Sequence, residues 1–263
     1  MSERVRDILT SAPTETIDTA KERLNNDGVE VSRSSIWRMA RSQQLSHQMI
    51  VPKPAAVFTR RITQQRFEYA QQVNGRPDQV LWFLDESGFN LHLGPLRCWS
   101  DVGVTPVQAV PANRGQNVSL LMCIAPDGIV FYETKCGSFK ASDFVAFLEA
   151  LGARFQEVRD GEVCLVMDNA RIHHATSATQ YLAENGIDHV YLPPYSPDLN
   201  PIENVFGVLK ARYRQRGVVR NRREMESLIK DVIDEMNLDM DNEPFYWRMR
   251  EFVQRVMNRQ SFN

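Results

Sequence analysis

The chain has 263 residues, of which 43% are hydrophobic and 24% charged, which is enough for one large domain or a medium one with a small companion. No apolar run approaches the roughly 20 residues of a membrane span, and "MSERVRDILTSAP" lacks a signal-peptide core. The four cysteines (Cys98, Cys123, Cys136, Cys164) contain no CxxC pair, which argues against a zinc site and for reduced thiols in a protein that is not secreted and touches no membrane.

The net charge of −2 conceals a segregation. Residues 30–76 carry eight Lys/Arg against two Asp/Glu, residues 77–203 carry seven against sixteen, and residues 210–223 carry seven against none. This reads either as a polyanion touching both basic ends or as solvated helix faces.

In chain order, residues 16–45 predict two short helices and a turn. Ile17, Ala20 and Leu24 share a face, and "NNDG" stops the first helix. Ser32 is the expected N-cap of the second, with Ile36, Met39 and Ala40 inward and Arg33, Ser34, Arg38 and Arg41 outward. Helix, tight turn and a helix with a basic face form the helix-turn-helix pattern, so these four residues are the candidate DNA contacts. Residues 1–50 are expected as this domain and 51–78 as a linker with one helix, extended by prolines in "HQMIVPKPAAVFTRR" and closed by "NGRPD".

Residues 79–263 are expected as an α/β domain. "VLWFLD" and "VCLVMD" read as buried strands, and "NVSLLMCIAPDGIVFYETKCG" as a hairpin turning at Pro126-Asp127-Gly128. "ASDFVAFLEALGARFQEV" and "ATSATQYLAEN" read as helices, "DHVYLP" as a strand and "PIENVFGVLKARYR" as a helix, with two more near 222–238 and 243–260.

Three acids fall at corresponding places: Asp85 and Asp168 at strand ends, Glu203 in the first turn of the helix after a strand. The C-terminal ends of parallel strands share one crevice. Carboxylates gathered there repel one another unless a cation neutralises them, and oxygen-only ligation suits Mg²⁺ or Mn²⁺. Each acid also has a plain role available: a turn opener at Asp85, a helix cap at Asp168, and for Glu203 the N3 position of a capping box with Asn200 as N-cap and Pro201 at N1.

"LDESGFN" around Asp85, "MDNARIHH" around Asp168 and "LPPYSPDLNPIENVFGVLK" around Glu203 resemble the three signature blocks of the mariner superfamily of DDE transposases. The 34 residues between Asp168 and Glu203 match the branch whose third acid is Glu. The resemblance implies an RNase H-like catalytic domain, a mixed central sheet flanked by helices, behind a small helix-turn-helix domain. It implies that Asp85, Asp168 and Glu203 are catalytic and bind two Mg²⁺ ions, with Mn²⁺ able to substitute. Asn169, His173, Asn200 and Pro201 become supporting residues, and His173 and His174 either touch DNA or serve the fold. Lys210 and Arg212, in "KARYRQRGVVRNRR", become backbone contacts or part of a nuclear-import signal. The implied activity is cut-and-paste transposition: cleavage at terminal inverted repeats and strand transfer into target DNA at TA. The implied partners are both double-stranded DNAs and a second copy of the chain, in the nucleus of a eukaryote or otherwise in the cytoplasm. Members usually carry two helix-turn-helix units and a "GRPR"-like motif; here there is room for one, and "GRPD" at 75–78 is a poor substitute. The alternative is therefore a DNA-binding protein derived from a transposase, catalytically idle or N-terminally truncated. Trp37, Trp82, Trp99 and Trp247 are expected in the core or at interfaces, with Trp99 the interface candidate.

Overall fold

The computed structural model describes residues 1–12, 15–47, 54–76, 79–95, 97–107, 109, 112 and 117–258. Residues 48–53 of the expected proline-extended stretch lie outside them. So do residues 77–78 of the expected turn and 259–260 of the last expected helix. The chain divides into two compact units, Met1–Pro54 and Ala55–Asn263.

In the first unit, α1 (Ser2–Thr10), α2 (Ile17–Asn26) and α3 (Arg33–Ser42) close around Val5, Ala20, Leu24, Ile36 and Ala40. α2 and α3 stand where the sequence expects them. Thr16 caps α2, and the Ser32 hydroxyl accepts from the Ser35 N–H at 3.1 Å to cap α3. Arg33, Ser34, Arg38 and Arg41 are exposed, as the inward stripe of Ile36 and Ala40 requires. No side-chain cap marks the start of α1.

The second unit begins at Ala55, with a short 3-10 turn ahead of α4 (Arg60–Asn74), and so takes in most of the stretch expected as a linker. The helix expected in a linker instead buries Tyr69 and Ala70 in the main core. Five strands follow among the described residues: β1 (Val80–Phe89), β2 (Val118–Ala125), β3 (Gly128–Cys136), β4 (Val163–Met167) and β5 (His189–Tyr191). They form one mixed sheet in the order β3-β2-β1-β4-β5. β3, β2 and β1 run antiparallel; β1, β4 and β5 run parallel. The hairpin turns at Pro126-Asp127 as expected, and the buried Asn242 amide ties its carbonyls Ala125 and Gly128, each at 2.9 Å.

Side-chain alternation along the strands fills both faces. Phe83, Phe89, Met122 and Val166 pack against α4, α7 (Ile202–Gln215), α8 (Arg222–Asp239) and α9 (Glu243–Met257). Trp82, Leu84, Leu165 and Met167 pack against α5 (Ala141–Arg154) and α6 (Thr176–Glu184). Burying each of these large side chains contributes about 1.5–3 kcal/mol before entropy opposes it. Arg76, just past α4, holds Asp188 ahead of β5 with two bonds, at 3.1 and 3.4 Å. Of the four tryptophans only Trp82 is core; Trp37 and Trp247 fall outside the inward stripes of their helices, and Trp99 is exposed in the segment between β1 and β2.

Candidate active site

Asp85 does not end β1. The strand continues to Phe89 because its β2 edge stays paired through Phe89↔Val118, whereas its β4 edge is last paired at Leu84↔Met167. Asp85 therefore occupies the first position where the β4 side opens. Asp168 is the residue just past β4, and Glu203 lies in the first turn of α7. All three carboxylates line one open cleft of about 360 Å³, walled by Asn169, Asn200 and the turn Pro193–Pro197.

The capping box expected around Glu203 does not form. α7 starts at Ile202 after Pro201 with no side-chain cap, and the Asn200 amide donates instead to Asp85 Oδ2 at 2.8 Å. The Glu86 N–H donates to Asp85 Oδ1 at 2.7 Å. Despite both bonds the Asp85 carboxyl is pushed up to about 7, first by burial and then by the charges of Asp168 and Glu203.

Asp168 is stabilised differently. Its Oδ1 accepts from the Ala170 N–H at 2.9 Å, opening a turn rather than capping α6, and from His173 Nδ1 at 2.8 Å. Burial raises its pKa, but these bonds win and hold it below the usual carboxylate range. Burial conversely depresses His173, and the Asp168 bond more than restores it, so its pKa rises. The His173 ring is fully buried, 4.5 Å from Phe144, and its carbonyl accepts from the Tyr191 hydroxyl at 3.0 Å. Asn169 donates to the Leu192 carbonyl and accepts from His174 Nε2 at 3.0 Å, tying the end of β4 to the end of β5.

Two residues that the sequence does not single out belong to this frame. Arg66 of α4, 3% exposed, donates to the Tyr195 carbonyl at 2.6 Å and to Ser196 Oγ at 2.8 Å. Nothing in a helix 130 residues upstream announces that role. Glu86 alternates to the opposite face of β1 from Asp85, and burial raises its pKa with His173 partly opposing. Its Oε1 and His173 Nε2 are both buried without a hydrogen-bond partner.

The basic run after Glu203 is mostly answered from within. Arg212 meets both oxygens of Asp239 at 2.8 and 3.0 Å, and Arg216 pairs with Glu235, so α7 is clipped to α8. Lys210 is partly buried over the Phe89 ring at 5.7 Å, and burial lowers its pKa. In the first unit Arg33 stands 3.3 Å from Asp18, and Arg41 lies over Trp37 at 5.8 Å.

Among the described residues, no three His, Cys, Asp or Glu side chains are arranged to hold a metal ion as they stand. The donor set nevertheless suits a hard cation. Its available donors are oxygens alone, the Asp85 carboxylate is disfavoured first by burial and then by its acidic neighbours, and Asn200 Oδ1 is buried beside it with no partner.

A mixed sheet of this order, gathering acids where its parallel strands end, is an RNase H-like fold. The model of the DDE superfamily endonucleases matches residues 80–226, more than half the chain, and the chain belongs to that family. The Tc3 transposase of Caenorhabditis elegans is 28% identical over 200 residues, spanning 73% of this chain and 59% of that protein; the chain thus spans about three fifths of this curated relative. A pre-cleavage Mos1 transpososome shares the fold with a TM-score of 0.74 at 18% identity, covering 100% of this chain and 80% of that one. A Mos1 mariner paired-end complex with Mn aligns at 0.71 and 20% identity, covering 98% and 78%.

Proposed function

We propose that the chain is a metal-dependent DNA transposase of the cut-and-paste kind. It cleaves phosphodiesters at the ends of a mobile element and transfers the freed 3′ ends into target DNA at TA sites. The observation that carries this reading is the convergence of Asp85, Asp168 and Glu203, from three separate elements, on one cleft, where Asp85 is buried and feels the charges of the other two. Relatives that are transposases, one of them in a complex with Mn, support it.

Asp85, Asp168 and Glu203 are the ligands of two Mg²⁺ or Mn²⁺ ions. Bound there, the cations would supply Lewis-acid activation of water and neutralisation of phosphate charge. The rest of the work belongs to the chain. Asn200 fixes the rotamer of Asp85, and His173 with the Ala170 N–H fixes Asp168. Asn169 and Arg66 hold the β5 exit and the proline turn, so the start of α7 and its Glu203 cannot drift. Arg33, Ser34, Arg38 and Arg41 contact duplex DNA from the first unit, and two copies of the chain bring two ends together.

The test is nicking of supercoiled plasmid by the purified protein in Mg²⁺ or Mn²⁺, beside its Asp168→Asn variant. Nicking by the wild type alone is the expected result, with DNA binding spared in the variant. Cleavage that survives Asp168→Asn overturns the ligand assignment. A binding-only descendant is the second reading, favoured by the absence of a ready three-ligand arrangement among the described residues. It predicts DNA binding by both proteins and nicking by neither.

A further inference from the structure

The Pro193–Pro197 turn presents one large ring to solvent. Tyr195 is 54% exposed, while Pro193 and Ser196 on either side are buried. Its φ of +55° lies in the left-handed region that residues bearing a Cβ rarely occupy, and bulky ones least of all. Glycine would take the same backbone without strain. The conformation is enforced from outside. Arg66 grips the Tyr195 carbonyl and Ser196 Oγ, Ser196 Oγ donates to the Pro194 carbonyl at 3.1 Å, and Pro193, Pro194 and Pro197 remove much of the remaining freedom. The turn walls the same cleft as the three acids. Backbone strain of this kind persists where the surroundings over-determine it, and it concentrates at ligand clamps and active sites.

We propose that Tyr195 is a DNA-contact residue whose ring stacks on a base or deoxyribose of the strand entering the carboxylate cleft, with Arg66 as the positioning residue that sets it there. This rests on reading the cleft as a DNA site. The chemistry fits the location. Without cations the acids repel the phosphates of that strand, and an uncharged ring at the rim grips the strand whether or not cations are bound. Stacking on an aromatic ring is also tolerant of sequence, because every base has a π-face.

The experiment uses full-length protein carrying Asp168→Asn, so that DNA is bound and not cut. The probe is a mixed-sequence duplex with a short single-stranded gap containing 2-aminopurine. Tyr195→Phe should bind and quench like its parent. Tyr195→Gly, which keeps the left-handed backbone available, should bind about 10-fold more weakly and lose the quench. Tyr195→Phe should melt with the parent and Tyr195→Gly no lower, the ring being exposed and glycine relieving the backbone strain. Parental binding and quenching by Tyr195→Gly would overturn the proposal, and so would an equal loss in Tyr195→Phe. A lower melting temperature in Tyr195→Gly would also overturn it, making the ring a packing element. A protein that never nicks plasmid still tests this contact in the binding assay. Plasmid nicking unaffected by Tyr195→Gly would sink the contact and leave the active-site reading standing.

Discussion

Asp85 shows how a single residue can be located in sequence and still be misread in detail. Its place after a short apolar run marks it as a site candidate, yet the partners that define its state, Asn200 and the Glu86 N–H, lie 115 residues and one residue away. The near one is legible; the far one is not, because Asn200 in "LNPIE" looks like a helix cap. The same holds for Arg76 and Asp188, a pair between α4 and β5 that no local pattern announces. Burial alone would raise the Asp188 carboxyl, but the Arg76 and Gln79 bonds prevail and hold it below its usual range. A carboxyl depressed in the fold stabilises above its unfolded pKa of about 3.9 and loses that contribution as pH falls through the folded value. Thermal melts of wild type and Asp188→Asn should therefore differ at pH 7, by up to about 1 kcal/mol for a partly exposed pair. The gap should narrow below about pH 4; a gap that widened there would contradict the sign.

At the scale of elements, most of the chain announces itself. Apolar runs on either side of a Pro-Asp-Gly turn mark β2 and β3, and a 3.6-residue stripe marks α3 and α5. The failures share one cause, long-range pairing. "DESGF" reads as a turn, but pairing from Asp85↔Met122 to Phe89↔Val118 holds it as strand. α4 reads as a linker helix until Tyr69 and Ala70 meet the sheet core. On α7 the basic face, which reads as a DNA surface, also has partners on α8, Asp239 for Arg212 and Glu235 for Arg216. This last point separates two arginines that composition treats alike. Arg38→Ala should weaken DNA binding and reduce the magnitude of the salt slope by about 1, whereas Arg212→Ala should leave that slope nearly unchanged. Fluorescence titrations across a range of salt concentrations would read both, and equal slope changes would show that Asp239 does not compete with phosphate.

For the molecule as a whole, the two units close separate cores, Val5 to Ala40 in one and the two faces of the sheet in the other. The division at Pro54 has a practical test. A fragment of residues 55–263 should express as a folded protein with a cooperative melt. A fragment starting at Gln79 strips α4 from the sheet and Arg66 from the proline turn, exposes the face that buried Tyr69, and should aggregate or melt without cooperativity. Cooperative melting of the shorter fragment, by calorimetry or circular dichroism, would show that α4 is dispensable. Charge and periodicity point to a small helical part ahead of a larger α/β part, and the chain does divide into two compact units, but the seam at Pro54 depends on which core a helix joins.

The bond from Asn200 to Asp85 also carries a consequence in time. It closes a span of 115 residues and requires β1, β4 and β5 to have paired side by side already. Contacts of such separation form late, because the chain must first give up the entropy of a long loop. The acidic cleft is thus expected among the last features a newly made chain acquires, and a half-folded copy holds its three acids apart.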